Sequence, residues 1–549
     1  MNQAPTERVV DEPNLSENVA LHLHRAAQRR PDVDAIVAAA GDTWRRITFV
    51  ELDRWTSQLA AGMQAHGITR GVRTLVLVRA GIDLIAVTYA LFKAGAVPVL
   101  IDPGMGRAGF LRCVQDIAPE AFIGIPVGHV ARLLNPTAFR NVKRHVTVGT
   151  RWLWGGPTLA TLATAGEGAV AGGFIAEAMR DEDEAAVLFT SGSTGPAKGA
   201  LYTHGIFNAQ VRELRAIYGF APGEVDCAAF PLFSLFDNAL EMTSVIPDLD
   251  PSRPGTCDPA KVARALTEHR CTTAFGSPAI WRRVAPWAES NGVTFPGLRR
   301  ILIAGASVPP PLVAALHRCL PDGEVGTPYG ATESLPVASI GGREILEDTA
   351  PRAVEGAGTC VGRPAPGITV RVIEVHDAPI ARWSEVRELP AGEVGEICVR
   401  GDVVTRMYVG RDEETVAAKI VDDRHGQTGG VWHRMGDLGY LDTHGRLWFC
   451  GRRGERVETA NGPLWTDCVE GRLAPLGEGR RVALVGRGSA GSEVPVMFVE
   501  GAENETIRRA LLAEGTVQEV HFRERFPVDV RHNAKIHRGT LKRALTEGR

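Results

Sequence analysis

The stretch Thr190-Ser191-Gly192-Ser193-Thr194-Gly195-Pro196-Ala197-Lys198-Gly199 decides how this 549-residue chain is read. It follows the apolar run 185–189 and ends on a lysine and a glycine. Glycines let backbone N–H groups approach an anion, hydroxyls donate further hydrogen bonds, and a lysine adds a point charge. The composition suits a loop that wraps an oligophosphate where a buried strand ends. It departs from the common nucleotide loop, which wants Gly-Lys-Ser/Thr, because Ala197 precedes the lysine and Gly199 follows it. Alone, such a cluster reads more readily as a flexible surface turn, and it is the other motifs that reverse this.

Outward from the loop, the chain alternates strand-like and helix-like segments. Residues 73–78 form an apolar β-type run, 82–94 have helical spacing, and 96–101 form a second apolar run, which predicts a βαβ unit. The pattern recurs at 121–125, at 185–189, at 272–275 followed by a helix over 278–288 that opens on proline, and at 300–303 followed by a turn over 304–310 and a helix over 311–320. This predicts doubly wound α/β layers. From Gly367 the texture changes to alternating strands at 368–375, 393–400 and 446–450 with Gly-rich turns, which predicts a small β subdomain. After Gly451-Arg452 a compact α+β tail is expected, with strands at 481–485, 494–499 and 518–522 and a helix at 505–514. The expected fold class is α/β. A large N-terminal domain spans 1–452, with its β subdomain at about 367–452, and a small C-terminal lid spans 453–549.

Bulk properties narrow the function. Hydrophobic residues make up 44% and charged residues 23%, and the net charge is −3, so nothing global points to nucleic acid. Residues 523–543 are locally basic but carry no aromatic platform for bases. The 9 cysteines are scattered without a Cys-x-x-Cys pair, which predicts neither a disulfide framework nor a zinc site and suits a reducing compartment. The first 18 residues are polar without an apolar signal core, and the most apolar stretch, 84–101, is broken by Lys93 and Pro98. The expected location is cytoplasmic, with peripheral membrane attachment left open and no transmembrane segment. There is no Gly-x-Ser-x-Gly elbow or His-Glu-x-x-His pair.

Downstream of the loop come Tyr329-Gly330-Ala331-Thr332-Glu333, then Gly436-Asp437 and Gly451-Arg452, and near the end Lys535-Ile536-His537-Arg538. In this order and at these separations the set resembles the adenylate-forming enzymes, which include acyl-CoA synthetases, luciferases and peptide-synthetase adenylation domains. The resemblance implies ATP and Mg²⁺ as cofactors and a carboxylate that attacks the α-phosphorus of ATP. It implies that Thr190, Ser191, Gly192, Ser193, Thr194, Gly195 and Lys198 hold the phosphates, with Thr194 and Lys198 counted among the catalytic groups. Glu333 ligates Mg²⁺, Tyr329 with Gly330 and Thr332 lies at the adenine, and Gly305-Ala306-Ser307 lines the base. Asp437 accepts from the ribose hydroxyls, Arg452 reaches ribose and phosphate, and Lys535 bridges the carboxylate and the α-phosphate. A hinge is implied just after the arginine, where Gly454 stands. His433 and Asp437 also form a His-x-x-x-Asp pattern of acyltransferase type, but Asp437 already fits the ribose.

Three departures from the general pattern matter. Ala197 stands where the phosphate loop usually has proline, and Ser234 stands where many relatives have histidine after Pro-Leu-Phe. The stretch Arg456-Val457-Glu458-Thr459-Ala460-Asn461-Gly462-Pro463-Leu464-Trp465 lacks the turn that admits a pantetheine thiol in CoA ligases. These departures resemble a narrower group, the β-lactone synthetases of bacterial olefin biosynthesis (OleC). The matching stretches are Phe236-Asp237, Thr243-Ser244-Val245-Ile246-Pro247-Asp248, Gly358-Thr359-Cys360-Val361-Gly362, His433-Arg434-Met435-Gly436-Asp437, Leu447-Trp448-Phe449-Cys450-Gly451-Arg452 and Arg456-Val457-Glu458-Thr459. That resemblance implies a long-chain 2-alkyl-3-hydroxy acid as substrate and other olefin-pathway enzymes as partners. The acyl-AMP is closed to a β-lactone by the substrate's own hydroxyl. Asp237, a lone carboxylate in an apolar segment, is a candidate to orient or deprotonate that hydroxyl, and His204 is a second. Phe230, Leu232, Phe233, Leu235, Phe236 and Leu240 are candidates for a wide apolar pocket, or plain core. A long-chain fatty-acyl-CoA ligase and a fatty-acyl-AMP ligase are the alternatives.

Overall fold

The computed structural model describes residues 17–190, 196–424, 430–528 and 536–547. Its βαβ beginning is as the hydropathy requires. Arg73–Leu77 and Val97–Leu100 pair in parallel and are joined by the helix Ile82–Lys93. Both strands are buried, which continuous Leu/Val runs without alternation demand. Lys93, which interrupts the apolar stretch in sequence, is fully buried. Its ammonium donates to Asp53 Oδ1 at 2.6 Å, to the Asp53 carbonyl at 2.9 Å and to Ser57 Oγ at 2.8 Å. All three N–H groups are satisfied, so the charge ties this helix to Phe49–Ala65 and is not left uncompensated.

These strands belong to a six-stranded sheet in the order Arg144–Thr147, Ala121–Gly124, Arg73–Leu77, Val97–Leu100, Glu184–Phe189, Gly199–Thr203. The first five run parallel and the last turns back antiparallel. A fourteen-stranded sheet forms the second layer. Its parallel centre is Glu324–Ala331, Arg300–Ile303, Thr273–Gly276, Val225–Ala228, Thr243–Ile246 and Asp34–Ala40, each beside the next. The strands expected as a separate β subdomain continue this same sheet. Ser334–Gly341, Thr359–Pro364, Leu447–Arg452, Val431–Leu441, Gly395–Arg400 and Thr369–Ile373 extend it antiparallel from Glu324–Ala331 outward. At the other edge Asp34–Ala40 and Thr43–Thr48 form an antiparallel pair.

The C-terminal part has its own three-stranded sheet, Val482–Arg487, Val494–Glu500 and Glu519–Arg523, flanked by Glu505–Ala513 and Arg538–Glu547. Its apolar clusters contain no residue before Val457. It rests on the larger part through polar contacts such as Thr359 Oγ1 donating to Asp467 Oδ2 at 2.6 Å. Among the described residues no helix is long and apolar enough to cross a membrane. All nine cysteines are free.

Candidate active site

The hydroxyl-rich stretch lies between two antiparallel neighbours, the strands Glu184–Phe189 and Gly199–Thr203. Phe189 lies opposite Gly199, the Thr190 N–H donates to the Lys198 carbonyl at 3.0 Å, and the Lys198 N–H donates to Thr190 Oγ1 at 3.1 Å. A closed base of this kind fixes where the loop begins and ends. Gly199 has a packing reason as well, since a Cβ there would lie 2.8 Å from Val187 Cγ1. Lys198 Nζ makes no hydrogen bond among the described residues and stands 5.0 Å from the centroid of the Tyr408 ring. Ser191, Gly192, Ser193, Thr194, Gly195 and Lys535 lie outside the described residues.

The structure brings Tyr329, Asp437 and Arg452 together. Gly436-Asp437 and Gly451-Arg452, separate motifs in the sequence, are register partners: Asp437 lies directly across from Arg452 on neighbouring strands. The Tyr329 hydroxyl donates to Asp437 Oδ2 at 2.5 Å. Burial, and then the Asp437 carboxylate, hold the phenol well above its usual range, so it stays a donor. Arg452 Nη1 lies 2.8 Å from Asp437 Oδ1 as an ion pair. No N–H points along that contact, and Oδ1 accepts no hydrogen bond. The guanidinium compensates the charge, and the lone pairs left on Oδ1 could still accept from a vicinal diol. Gly436 has φ +66°, a conformation that other residues adopt only with strain. Gly305-Ala306-Ser307 leaves the end of the strand Arg300–Ile303, beside the strand that carries Tyr329 and Gly330, with Gly305 at φ +97°.

Thr332 and Glu333 form the two-residue turn between Glu324–Ala331 and Ser334–Gly341. Glu333 Oε1 accepts from the Tyr408 hydroxyl at 2.5 Å, and its carbonyl accepts from the Thr405 N–H at 2.8 Å and from Thr405 Oγ1 at 3.1 Å. The Thr332 carbonyl accepts from the Tyr202 hydroxyl at 2.5 Å. Residues 404–409 thus act as a strap. Val404 bridges Ser334, Tyr408 bridges Ala200, and the Val409 N–H donates to the Gly199 carbonyl at 2.9 Å. Tyr202, Thr405 and Tyr408 are site neighbours that the motif reading missed; the strap is irregular and carries no periodic signal. Lys419, buried behind the strap, donates to the carbonyl and to Oγ1 of Thr405. Burial pushes its ammonium down to about 7, against the pull of Glu333. His433, the cross-strand partner of Lys419, shares a 3.2 Å hydrogen bond between Nδ1 and the Ala418 carbonyl. Burial first, then Lys419, keep its ring neutral.

Among the described residues no three His, Cys, Asp or Glu side chains converge to hold a metal on their own. Glu333 offers one carboxylate whose Oε2 accepts nothing among them. That suits a hard cation whose other ligands are phosphates and water.

Asp237 sits on the short helix Ser234–Ala239 and is fully buried. Its Oδ2 accepts from Ser244 Oγ at 2.8 Å, and Ser244 Oγ lies 2.6 Å from Ser234 Oγ. Asp226 stands level with Ser244 on the adjacent strand, also with no exposure. Taken as carboxylates, both oxygens of Asp226 and Oδ1 of Asp237 lack a donor, so a proton held by the pair is what joins them. Burial raises Asp226 to about 7, and burial followed by Asp226 holds Asp237 well above the usual carboxylate range. Of the apolar candidates, Phe233 and Leu240 are core residues and Phe233 stacks on Phe275 at 4.1 Å, whereas Leu232, Leu235 and Phe236 are only partly buried. His204 is buried and its Nδ1 accepts from the Val19 N–H at 3.1 Å. A cleft of about 720 Å³ lies elsewhere, between Ile246-Pro247-Asp248-Leu249 and residues 78–83, and touches none of the nucleotide-type motifs.

The acid pair has a pH signature. The folded chain keeps protons that the unfolded chain releases above the ordinary Asp value of 3.8, so the pair lowers stability as pH rises from about 4 through about 7. The slope is at most about 1.4 kcal/mol per pH unit for each retained proton. Asp226→Asn, which can donate to Asp237, is expected to flatten it. Urea midpoints at pH 5 and pH 8 check this, and parallel profiles for wild type and variant would contradict the shared proton.

Comparison with known proteins agrees with this geometry. A family model described as AMP-binding enzyme matches residues 23–409. The chain is 46% identical over 544 residues to an olefin beta-lactone synthetase of Stenotrophomonas maltophilia, covering 95% of this chain and 97% of that one. It is 46% identical over 545 residues to another from Xanthomonas campestris pv. campestris, covering 95% and 96%. The amide bond synthetase McbA from Marinactinospora thermotolerans superposes with a TM-score of 0.75 at 22% identity, over 96% of this chain and 99% of that one, which is a likeness of fold. With the strand pair Glu184–Phe189 and Gly199–Thr203, the Tyr329–Asp437–Arg452 cluster and the Glu333 turn in one molecule, the chain belongs to the AMP-binding enzyme family.

Proposed function

We propose that this chain is an ATP-dependent β-lactone synthetase acting on long-chain 2-alkyl-3-hydroxy acids in olefin or β-lactone biosynthesis. The observation that carries the reading is identity of 46% over nearly the whole length of proteins named olefin beta-lactone synthetase. The donor set supports the nucleotide half. Asp437, paired with Arg452, keeps acceptor capacity that ribose hydroxyls could use, while Lys198 has no carboxylate partner among the described residues.

In this reading the chain's residues divide the work. Tyr329, Gly330, Thr332 and Gly305-Ala306-Ser307 frame the adenine, Asp437 takes the ribose hydroxyls, and Arg452 reaches ribose and phosphate. Thr190, Ser191, Gly192, Ser193, Thr194, Gly195 and Lys198 hold the phosphates. By the family resemblance Lys535 would bridge the attacking carboxylate and the α-phosphate, where negative charge gathers in the transition state. Glu333 would hold Mg²⁺, and the chemistry that cation would supply is neutralisation of charge on the polyphosphate. The carboxylate oxygen bonds to the α-phosphorus and pyrophosphate leaves. The 3-hydroxyl oxygen then bonds to the acyl carbon, its proton passes to a base, and AMP leaves with the electron pair of the broken acyl–oxygen bond. Ring strain makes closure uphill from the free acid, so the reactive anhydride is needed, and intramolecular attack gains from proximity. Asp237, whose proton is shared with Asp226, is the proposed base or orienting group for the 3-hydroxyl.

We place the division between the large and small parts at 452/453, with Gly454 as the hinge. A Cβ at Gly454 meets nothing within 4 Å, and its φ is not in the left-handed region. Nothing in this pose requires a glycine there, and a hinge that changes φ and ψ between poses would give it a use.

The deciding assay combines ATP, Mg²⁺ and a 2-alkyl-3-hydroxy acid, with and without coenzyme A, followed by mass spectrometry. Pyrophosphate, AMP and a product lighter than the acid by one water are expected in both arms. A thioester as sole product, or no pyrophosphate, overturns the reading. Asp237→Asn is expected to leave acid-dependent pyrophosphate release near wild type and to slow lactone formation about 10²-fold or more; full lactone formation removes Asp237 from the chemistry. Gly454→Ala is expected to hold or raise the melting temperature, by the equivalent of about 0.4–1 kcal/mol, while turnover falls. Unchanged turnover would remove the hinge.

A further inference from the structure

Lys419 opens the short strand Lys419–Val421 and is 7% exposed. No carboxylate lies within ion-pairing distance of it among the described residues, in contrast to buried Lys93, which has Asp53. Its ammonium donates to Thr405 twice, to the carbonyl and to Oγ1. The direction of the chain of bonds is then set. Thr405 Oγ1 accepts from Lys419, so its own proton goes to the Glu333 carbonyl at 3.1 Å, alongside the Thr405 N–H at 2.8 Å. Glu333 is therefore pinned through its backbone by a buried cation two bonds away and through its carboxylate by Tyr408.

The charges do not balance. Lys198 and Lys419 both bear on His433, which is kept neutral between them, and Glu333 is the acidic group that bears on Lys419. Two lysines face one carboxylate in a partly water-free corner; without an anion, burial relieves the imbalance by lowering the affinity of Lys419 for its proton, and a bound anion would hold it charged. Tyr408 links the two sides, with Lys198 over its ring and Glu333 on its hydroxyl.

We propose that Lys419 is a positioning residue of the oligophosphate subsite: through Thr405 it fixes the Glu333 turn, and its charge, added to that of Lys198, is completed by the bound triphosphate. The inference rests on the reading above that the chain consumes ATP. It assigns Lys419 to the nucleotide and not to the acid.

The test uses the full-length protein, calorimetric titration with Mg²⁺ and a non-hydrolysable ATP analogue, and steady-state kinetics. Lys419→Met removes the charge and keeps the volume. It is expected to weaken analogue binding about 10-fold or more, the loss that a charge-assisted contact implies. KM for the acid should stay within about twofold of wild type, and the ligand-free melting temperature should hold or rise, as removal of an unpaired buried charge allows. Lys419→Arg should recover part of the affinity. Thr405→Val, which deletes only the hydroxyl relay, should shift affinity in the same direction and keeps the proposal testable if the methionine variant does not fold. Wild-type affinity in Lys419→Met, or in Thr405→Val should that one alone fold, overturns the inference. Wild-type protein that binds no analogue overturns the ATP reading itself, and this inference with it.

Discussion

The strap over residues 404–409 is the constraint on which the site depends. The Gly199 edge belongs to the six-stranded sheet and the Glu333 turn to the fourteen-stranded sheet, so no strand pairing within either sheet sets their separation. The strap does so by backbone. It bridges Ser334 with Val404 and Ala200 with Tyr408, and takes the Glu333 carbonyl on Thr405. Backbone pairing at both ends makes the distance between the loop lysine and the turn carboxylate a property of a short peptide, insensitive to small shifts of one layer on the other. Catalysis of phosphoryl chemistry is largely positioning plus charge, so a rigid spacer between cation and carboxylate is where that precision is needed.

A second constraint works by register. In an antiparallel hairpin, a shift of one residue turns each side chain to the other face. Asp437 and Arg452 meet only in the pairing observed, and the bulge between Leu438 and Gly439 lets the rest of the hairpin keep its own register. Gly436 at φ +66° turns the backbone just before the aspartate. Tyr329 then reaches Asp437 across three intervening strands of the sheet, which places an aromatic face beside a carboxylate and a guanidinium.

Much of this was legible in sequence because its physics is local. The runs at 73–78, 121–125 and 300–303 are apolar on both faces, and only a covered parallel strand can use them. The loop, the Glu333 turn and the Gly-Asp and Gly-Arg pairs are short signals whose order carries the resemblance. What escaped depends on partners far along the chain. Asp226 sits in Val225–Ala228, where one carboxylate in a buried strand reads as an edge residue until Ser244 and Asp237 are seen beside it. Thr405 and Tyr408 lie in an irregular segment without period. Lys419 reads as a solvated lysine near a helix end. The strands after residue 367 alternate as expected, but nothing in their composition says that Thr359–Pro364 joins them to the central sheet.

The same contrast separates the two halves of the chemistry. On the side proposed for the nucleotide, Lys198 and Lys419 have no paired carboxylate among the described residues, a deficit that an anion would fill. The region proposed for the acid is the opposite, an aromatic cluster around Phe233 and Phe275 with a buried carboxyl pair beside it. A buried acid pair that holds a proton can take up or release charge only at high cost, and water is kept from it by the same packing. The role that such a buried, proton-holding pair fits best is orientation of the 3-hydroxyl, in a step for which water is the competitor.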